Sequence, residues 1–487
     1  MDINTRNGYG TKNPRGTTTT VLDLVNRDDQ DTALFPLTAK ATRFTRDEEL
    51  RTVPYSSVLR EFTFKGPADL GQKFVFELSD IACGDLIQGL FIQIQMPDWF
   101  PGLVRQALQV GKISYVDPTQ AWTYINSLGS SILDEATLEV DDQILERITG
   151  DSVSVISTLF PDLNTQVGLT DVEGRKSLSD VKAWSGRRIL PTEDTWVTVP
   201  LVFSMLRERL TATFPLISCR SGTMRVKVAL KRFDQIVRSV TGLRASCEDT
   251  PLAKTVQFTD GQTITTAHSI PRLPNIQLLT YGLFVDGPYR EMLLRQPFER
   301  PFREIQQFDF TEPLKYVTNK MGPDSIQIQL PLEANQPVEE IVWFLRRKAA
   351  LTENNNWTNY SATLEKDYDP IFRPLEPLMT YAKIQGNGMD IVSQDEAWYR
   401  SHIARAHRGG KVAYDSYIYG YSFAKHPGTH EPTGSINASR LNSLRLTLDV
   451  KVPQNALLDT EWEVRVFVFA FQWLRFENGI CTKVFID

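Results

Sequence analysis

The chain has 487 residues, 41% of them hydrophobic and 23% charged, with a formal net charge of −6. Such a length supports large cores without disulfide or metal staples, and such a composition excludes a mostly disordered chain. An acidic chain lacks the surplus of Lys and Arg that coating a phosphate backbone requires.

The first residues are polar, with Asn4, Thr5, Asn7, Gly8 and Thr17 to Thr20, and predict a flexible arm over residues 1–25. Met1-Asp2-Ile3-Asn4 opens no apolar leader segment. No apolar run reaches the roughly 18 residues of a membrane-spanning helix. From Val21 onward apolar residues recur, mostly with period 2. Phe74, Phe76 and Leu78 share one face, as do Leu90, Ile92, Ile94 and Met96. Asp141-Asp142 reads as a turn, and Val226, Val228 and Leu230 form the next strand face. Residues 240–274 carry Gly242, Pro251, Gly261, Pro271 and Pro274 with weak alternation, which predicts a linker. Beyond it, Ile326, Ile328 and Leu330 alternate with Gln327 and Gln329. Gln394 to Arg405 is the best helix, with Ser393 as N-cap and Glu396 closing a capping box. Leu444, Leu446, Leu448 and Val450 give another one-sided strand. Ile341 to Leu345 and Val464 to Phe471 are apolar on both faces, so each predicts a central strand covered on both sides by a sheet or another subunit. Short strands, frequent turns and scarce helices give an all-β class of sandwich or barrel, with one large β domain on each side of the linker. No internal repeat is legible.

Chemistry is sparse. Cys83, Cys219, Cys247 and Cys481 form no C-x-x-C pair, so neither zinc nor a disulfide framework is expected. No nucleophile elbow, Walker loop or H-E-x-x-H occurs. His426 and His430 flank Pro427-Gly428, which forbids the helix that would place both on one face. Arg346-Arg347-Lys348 follows a buried strand and reads as a strand-end cap or subunit salt bridge; the basic loop of Arg405, His407, Arg408 and Lys411 reads as solvated. Asn356, Asn359 and Asn437 begin formal glycosylation sequons, taken here as coincidental or structural. No catalytic, cofactor or metal site is therefore assigned.

Several segments, in order, resemble the major capsid proteins of nucleocytoplasmic large DNA viruses. Gln336-Pro337-Val338-Glu339-Glu340-Ile341-Val342-Trp343 is similar to that family's H-P-V-K-E-L-I-W, and Asn355 to Ser361, with Trp357 and Tyr360, to its N-x-W-x-N-Y-S. Tyr421-Ser422-Phe423-Ala424 and then Glu431 to Arg440 resemble Y-S-F-A-L and Q-P-S-G-x-x-N-x-S-R, matching at Pro432, Gly434, Asn437, Ser439 and Arg440, with Glu431 and Thr433 in place of Gln and Ser. In the first half, Gly84-Asp85-Leu86 resembles the G-D-L strand opening. Leu138 to Ile144 resembles the E-I-G-G-Q-x-I hairpin, with Asp141-Asp142 for Gly-Gly. The resemblance covers roughly residues 50–487. It implies two consecutive eight-stranded jelly rolls: an arm at 1–25, a first roll at 26–240, a linker at 241–274 and a second roll at 275–487. It further implies a non-enzymatic capsid component, a homotrimer of near-hexagonal outline tiling an icosahedral shell. Its partners would be neighbouring capsomers and minor capsid proteins, without direct nucleic-acid contact and with at most indirect membrane contact. The protein would be found in the virion, after assembly in the host cytoplasm. The alternatives are a minor capsid paralogue or transient scaffold of the same fold, or, in another class, a jelly-roll carbohydrate-binding module or enzyme.

Overall fold

The computed structural model describes residues 53–97, 122–160, 195–207, 213–239, 253–257, 263–267, 272–313, 325–364, 371–372, 374–407, 417–429, 431–451 and 461–485. The arm at 1–25, Cys247, His430, Arg408 and Lys411 lie outside the described residues. In the first half the strands are β1 (Tyr55–Thr63), β2 (Lys73–Leu78), β3 (Leu86–Met96), β4 (Trp122–Tyr124), β5 (Leu133–Val140), β6 (Gln143–Thr149), β7 (Thr195–Pro200), β8 (Met224–Leu230), β9 (Val237–Ser239), β10 (Ala253–Gln257), β11 (Thr263–Ala267) and β12 (Asn275–Val285). In the second they are β13 (Phe298–Pro313), β14 (Ser325–Leu332), β15 (Pro337–Arg347), β16 (Met379–Gly386), β17 (Met389–Asp395), β18 (Ile418–Ser422), β19 (Ile436–Asn437), β20 (Leu444–Lys451), β21 (Glu461–Glu477) and β22 (Ile480–Lys483). The longer helices among the described residues are α1 (Gly150–Leu159), α2 (Gly287–Arg295), α3 (Lys348–Asn354) and α4 (Glu396–Ala406).

Two sandwiches emerge, and they share one topology. The first pairs a sheet of order β1-β12-β3-β7 with one of order β2-β8-β5-β6; the second pairs β13-β21-β15-β18 with β14-β20-β16-β17. Numbering the main strands 1 to 8 along each half gives sheets 1-8-3-6 and 2-7-4-5 in both, which is the jelly-roll order. The fold is thus a double jelly roll, and the repeat that the side chains conceal is plain in the strand order. Further features recur at equivalent places. The strand 4 to 5 turn is Asp141-Asp142 in one roll and Asn387-Gly388 in the other, and all four residues have positive φ, as a two-residue type I′ hairpin demands. Asp141 tolerates this because its carboxylate accepts the Thr223 N–H at 2.8 Å. A capped helix follows strand 5 in each roll: Thr149 caps α1 and Asp395 caps α4. Asp395, not Ser393, is the N-cap, accepting the Trp398 N–H at 2.9 Å. Ser393 belongs to β17, where its hydroxyl meets Tyr381.

The boundary also moves. Residues 275–285 were assigned above to the second roll. They form β12, whose ladders run to β1 and β3, so they complete the first roll. The Pro- and Gly-rich stretch 241–274 is therefore a connection within the first roll and includes the β10–β11 hairpin. The junction between rolls is the segment 286–297 with α2. In both rolls alternation of strand direction gathers the 1–2, 3–4, 5–6 and 7–8 connections at one end, and the 2–3, 4–5 and 6–7 connections at the other. That second end holds both two-residue 4–5 turns and the long 6–7 connections.

Each roll buries one apolar row per strand. In the first, Phe74, Phe76, Val226, Val228, Ala136 and Leu138 face Leu90, Ile92, Ile94, Ile276, Leu278 and Val197, all nearly inaccessible. In the second, Ile328, Leu330, Leu446, Leu448, Ala382 and Ile384 face Ile341, Trp343, Leu345, Val464, Val466 and Val468. Burial of each such aliphatic or aromatic side chain contributes about 1.5–3 kcal/mol. β15 and β21 are adjacent interior strands, and their second faces are also buried. Val468→Asp, which sets an unpaired charge in this layer, should destabilise the chain by on the order of 4 kcal/mol. Urea unfolding of the purified variant checks this; unchanged stability would contradict the placement.

Candidate functional site: the seam between the two rolls

The cover on the second face of β15 and β21 is the first roll of the same chain. Helix α1 lies against it. Phe160, just beyond α1, sits 5.3 Å ring to ring from Phe469; Tyr360 packs on Phe344 at 4.1 Å and points its hydroxyl towards Ser154 Oγ of α1. Thr149, the α1 cap, donates to Gln307 Oε1 at 2.8 Å.

At the centre is Arg346, fully buried. Its guanidinium grips Asp151 of α1 with two hydrogen bonds at 2.8 and 3.1 Å, and also donates to Glu463 at 2.8 Å and to the Trp357 carbonyl at 2.9 Å. Arg465 extends the network to Asp309 at 2.8 Å. Burial works to raise the Asp151 carboxyl, but the charges of Arg346, Lys231 and Arg465, with hydrogen bonds from Arg346, hold it below its ordinary value. Burial likewise opposes the charge on Arg346, and Asp151 and Glu463 overcome it, so the guanidinium stays protonated. Beside them Lys231 donates to the Ser131 and Leu133 carbonyls at 2.9 and 2.7 Å and lies over the Trp357 ring at 4.3 Å. Burial pulls its ammonium down to about 8, with only partial compensation by Asp151. The Arg346 partner is thus a helix of the same chain, not a neighbouring subunit. The sequence signal for its partners was present but unread: Glu463 and Arg465 interrupt the most apolar strand of the chain, and a buried strand carries charges only where something pairs them.

The seam also contains a thiol pair. Cys219 of the first roll neighbours Cys481 of the second, and this neighbour together with burial holds the Cys219 thiol well above its ordinary value, while its S–H donates to the Pro215 carbonyl at 3.8 Å. Cys83, Cys219 and Cys481 are all buried and free. At the junction Asp85 accepts the Val285 N–H at 3.0 Å and pairs with Arg290 of α2 at 2.9 Å, which gives the Gly84-Asp85-Leu86 segment its structural task.

The remaining motif residues separate into two groups. Trp343, Trp357 and Tyr360 belong to the packed interior. Trp343 faces inward, edge-on to Tyr399 of α4 at 5.1 Å. Trp357 Nε1 donates to the Gln235 carbonyl of the first roll at 2.9 Å. Pro432, Gly434, Asn437, Ser439 and Arg440 form an outer brace at the start of β15. Ser439 Oγ accepts the Gln336 N–H at 2.8 Å, and Asn437 pairs with Pro337. Gly434 has φ +153°, and a Cβ there would lie 2.7 Å from the Phe423 carbonyl oxygen, so only glycine fits. Pro432 and Arg440 are exposed. Asn356 and Asn359 are buried, and Asn359 is engaged by Ser361 and Thr363, so these sequons are structural turns. Among the described residues no cluster of His, Cys, Asp or Glu is arranged to hold a metal, and no helix is long and apolar enough to cross a membrane.

Comparison with known proteins accounts for this absence of a chemical centre. Residues 50–281 match the family described as major capsid protein N-terminus, and residues 304–482 match the large eukaryotic DNA virus major capsid protein family. The chain belongs to the major capsid proteins of large eukaryotic DNA viruses. A major capsid protein of Phaeocystis pouchetii virus is 22% identical over 517 aligned positions, spanning 86% of this chain and 91% of that protein. The PBCV-1 capsid model superposes with a TM-score of 0.66 at 15% identity, covering 91% of this chain and all of the other. The Faustovirus major capsid protein gives 0.61 at 12% identity, over 93% and 95%. Members of this family are structural capsid proteins, not enzymes. The end of the N-terminal match at residue 281 falls inside β12, close to the boundary drawn by the strand ladders.

Arg346→Met leaves Asp151 and Glu463 with only Arg465, 3.7 Å from each, as an ion-pair partner, and should cost about 3 kcal/mol at neutral pH. The folded-state carboxyl of Asp151 is held low, so its contribution is present above the ordinary carboxylate range and is lost as pH falls through the folded value. The difference between wild type and variant should therefore shrink as pH is lowered from about 5 towards 2 in urea titrations. A pH-independent difference would disconnect Arg346 from Asp151.

Proposed function

We propose that this capsid protein acts as a homotrimer of near-hexagonal outline that tiles an icosahedral shell, assembled in the host cytoplasm and backed by minor capsid proteins. The observation that carries the reading is the tandem repetition of one roll, joined by a head-to-tail contact. The first roll offers a helix and the second offers a sheet face; because both rolls share one topology, each owns a version of both surfaces. A contact of this heterologous kind generates a ring when the rotation closes and an open filament when it does not. Three chains supply six rolls, enough for a closed six-sided tile. Such tiles meet their neighbours through side contacts that are individually small, and repetition by symmetry makes the shell cohesive.

Light scattering on the purified chain should give a mass near three times 55.4 kDa. A monomer at micromolar concentration would overturn the trimer. The polar arm contributes to shell contacts in this reading, so deleting residues 2–20 should leave trimers intact and impair shell formation. Normal shells from the truncated chain would remove the arm from assembly.

A further inference from the structure

We infer that Cys219 and Cys481 are a latent disulfide: under oxidising conditions they close into a covalent bond that ties the first roll to the second. The inference concerns a single chain and stands whether or not three chains associate.

Two segments far apart in sequence bring the thiols together. Cys219 ends the one-turn 3₁₀ helix Leu216–Cys219, in the strand 6 to 7 connection of the first roll. Cys481 lies in β22, the short strand that folds back on the end of β21. In that ladder Cys481 stands directly opposite Phe476, so the two side chains leave the sheet on the same face. The Phe476 ring packs on Phe214 at 5.7 Å, which turns that face towards the first roll's connection. On the other side of the cysteines the backbones are joined directly. The Ser221 N–H donates to the Gly479 carbonyl at 3.0 Å, and Ser221 Oγ donates to the Asn478 carbonyl at 3.2 Å. Two residues back from Ser221 and two on from Gly479 stand Cys219 and Cys481. The approach is so close that a Cβ on Gly479 would lie 2.3 Å from Ser221 Oγ. The thiols are thus bracketed by a ring contact on one side and main-chain bonds on the other, at 3% and 2% exposure. Among the described residues no group of His, Cys, Asp or Glu is placed to hold a metal, which removes the usual alternative for paired thiols.

As thiols the pair is quiet. Burial and the neighbouring Cys481 keep the Cys219 proton in place, and a thiol that keeps its proton is a poor nucleophile. Reaction therefore waits on local opening, and β22 supplies it. This is a four-residue strand whose ladder runs to β21 alone among the described strands, with Ile480 and Thr482 exposed on its outer face. So short an element opens at low cost. The oxidant is hydrogen peroxide, small enough to enter. One thiol sulfur attacks a peroxide oxygen, the O–O bond breaks, water leaves and the sulfur becomes a sulfenic acid. The second sulfur displaces the hydroxyl group from the first, a second water leaves and the Sγ–Sγ bond forms. Two S–H bonds are lost, and two electrons pass from the sulfurs to the peroxide. In a reducing compartment, exchange with small thiols keeps the pair open; in oxidising surroundings it stays closed. The ions and rings of the seam hold the rolls by contacts that denaturant separates, and the disulfide adds a point that only a reductant can part.

The test uses the full chain, purified with reductant, then exposed to hydrogen peroxide, alkylated in denaturant and mapped by non-reducing mass spectrometry. A peptide joining Cys219 to Cys481 is expected, lighter by two hydrogens than its parts. Cys83, equally buried but beside Thr280, should be recovered as an alkylated thiol. The oxidised chain should unfold at a urea concentration higher by roughly 0.5 M, and reductant should cancel the shift. Cys219→Ala and Cys481→Ala should each abolish the linked peptide and the shift; the map of the unaltered chain decides the matter without them if they fail to fold. Recovery of both thiols unlinked, sulfinic or sulfonic acid at Cys219 in place of a link, or links that join Cys83 would each overturn the pairing. A link that leaves the urea midpoint where it was would overturn the tie between the rolls.

Discussion

A guanidinium with no access to water needs partners inside the protein, and both terminal nitrogens of Arg346 have them. Its partners come from a helix of the first roll, a strand of the second and the loop carrying Trp357. Taking that charge out of water is unfavourable unless every contact is in place, so the two rolls have one relative position that satisfies it. Aromatic packing of Phe160, Phe344, Tyr360 and Phe469 provides the adhesion; the ion network provides the register. This buried chemistry therefore sets the angle between the rolls as well as contributing to stability.

The repetition of one strand order gives the two rolls equivalent surfaces. The halves have diverged where their settings differ. Phenylalanines and ions occupy the face of the second roll that the first roll covers, and glutamines occupy equivalent positions of the first roll's sheet. Backbone features that set the frame remain in common, including the strand 3 bulge, the two-residue type I′ turn and the capped helix after strand 5.

Much of this frame was legible in the sequence. Period-2 alternation located β2, β3, β8, β14 and β20 because each has one wet face and one dry one. The absence of alternation in Ile341 to Leu345 and Val464 to Phe471 marked the doubly covered strands. What escaped has physical reasons. The boundary was misplaced because Pro, Gly and weak alternation mark any long connection, and the longest one here lies inside the first roll. The true junction is short and helical. The repeat escaped because what the halves share is ladder order and register, which Arg346 and Gln95 occupy with unrelated side chains. Asp151 escaped because its partner lies 195 residues away, beyond the reach of any local pattern. The motif residues were found through resemblance, and their tasks divide between interior packing and the brace around Gly434.

The distribution of connections has a consequence for divergence. A turn of two residues fixed by positive φ cannot lengthen without breaking its hairpin, whereas loop closure grows only slowly more costly with length. Lengthening is therefore cheap in the long connections and forbidden at the two-residue hairpins. A lineage of such chains can remodel its long loops freely, adding decoration or changing what they present, while the paired sandwiches beneath stay constant.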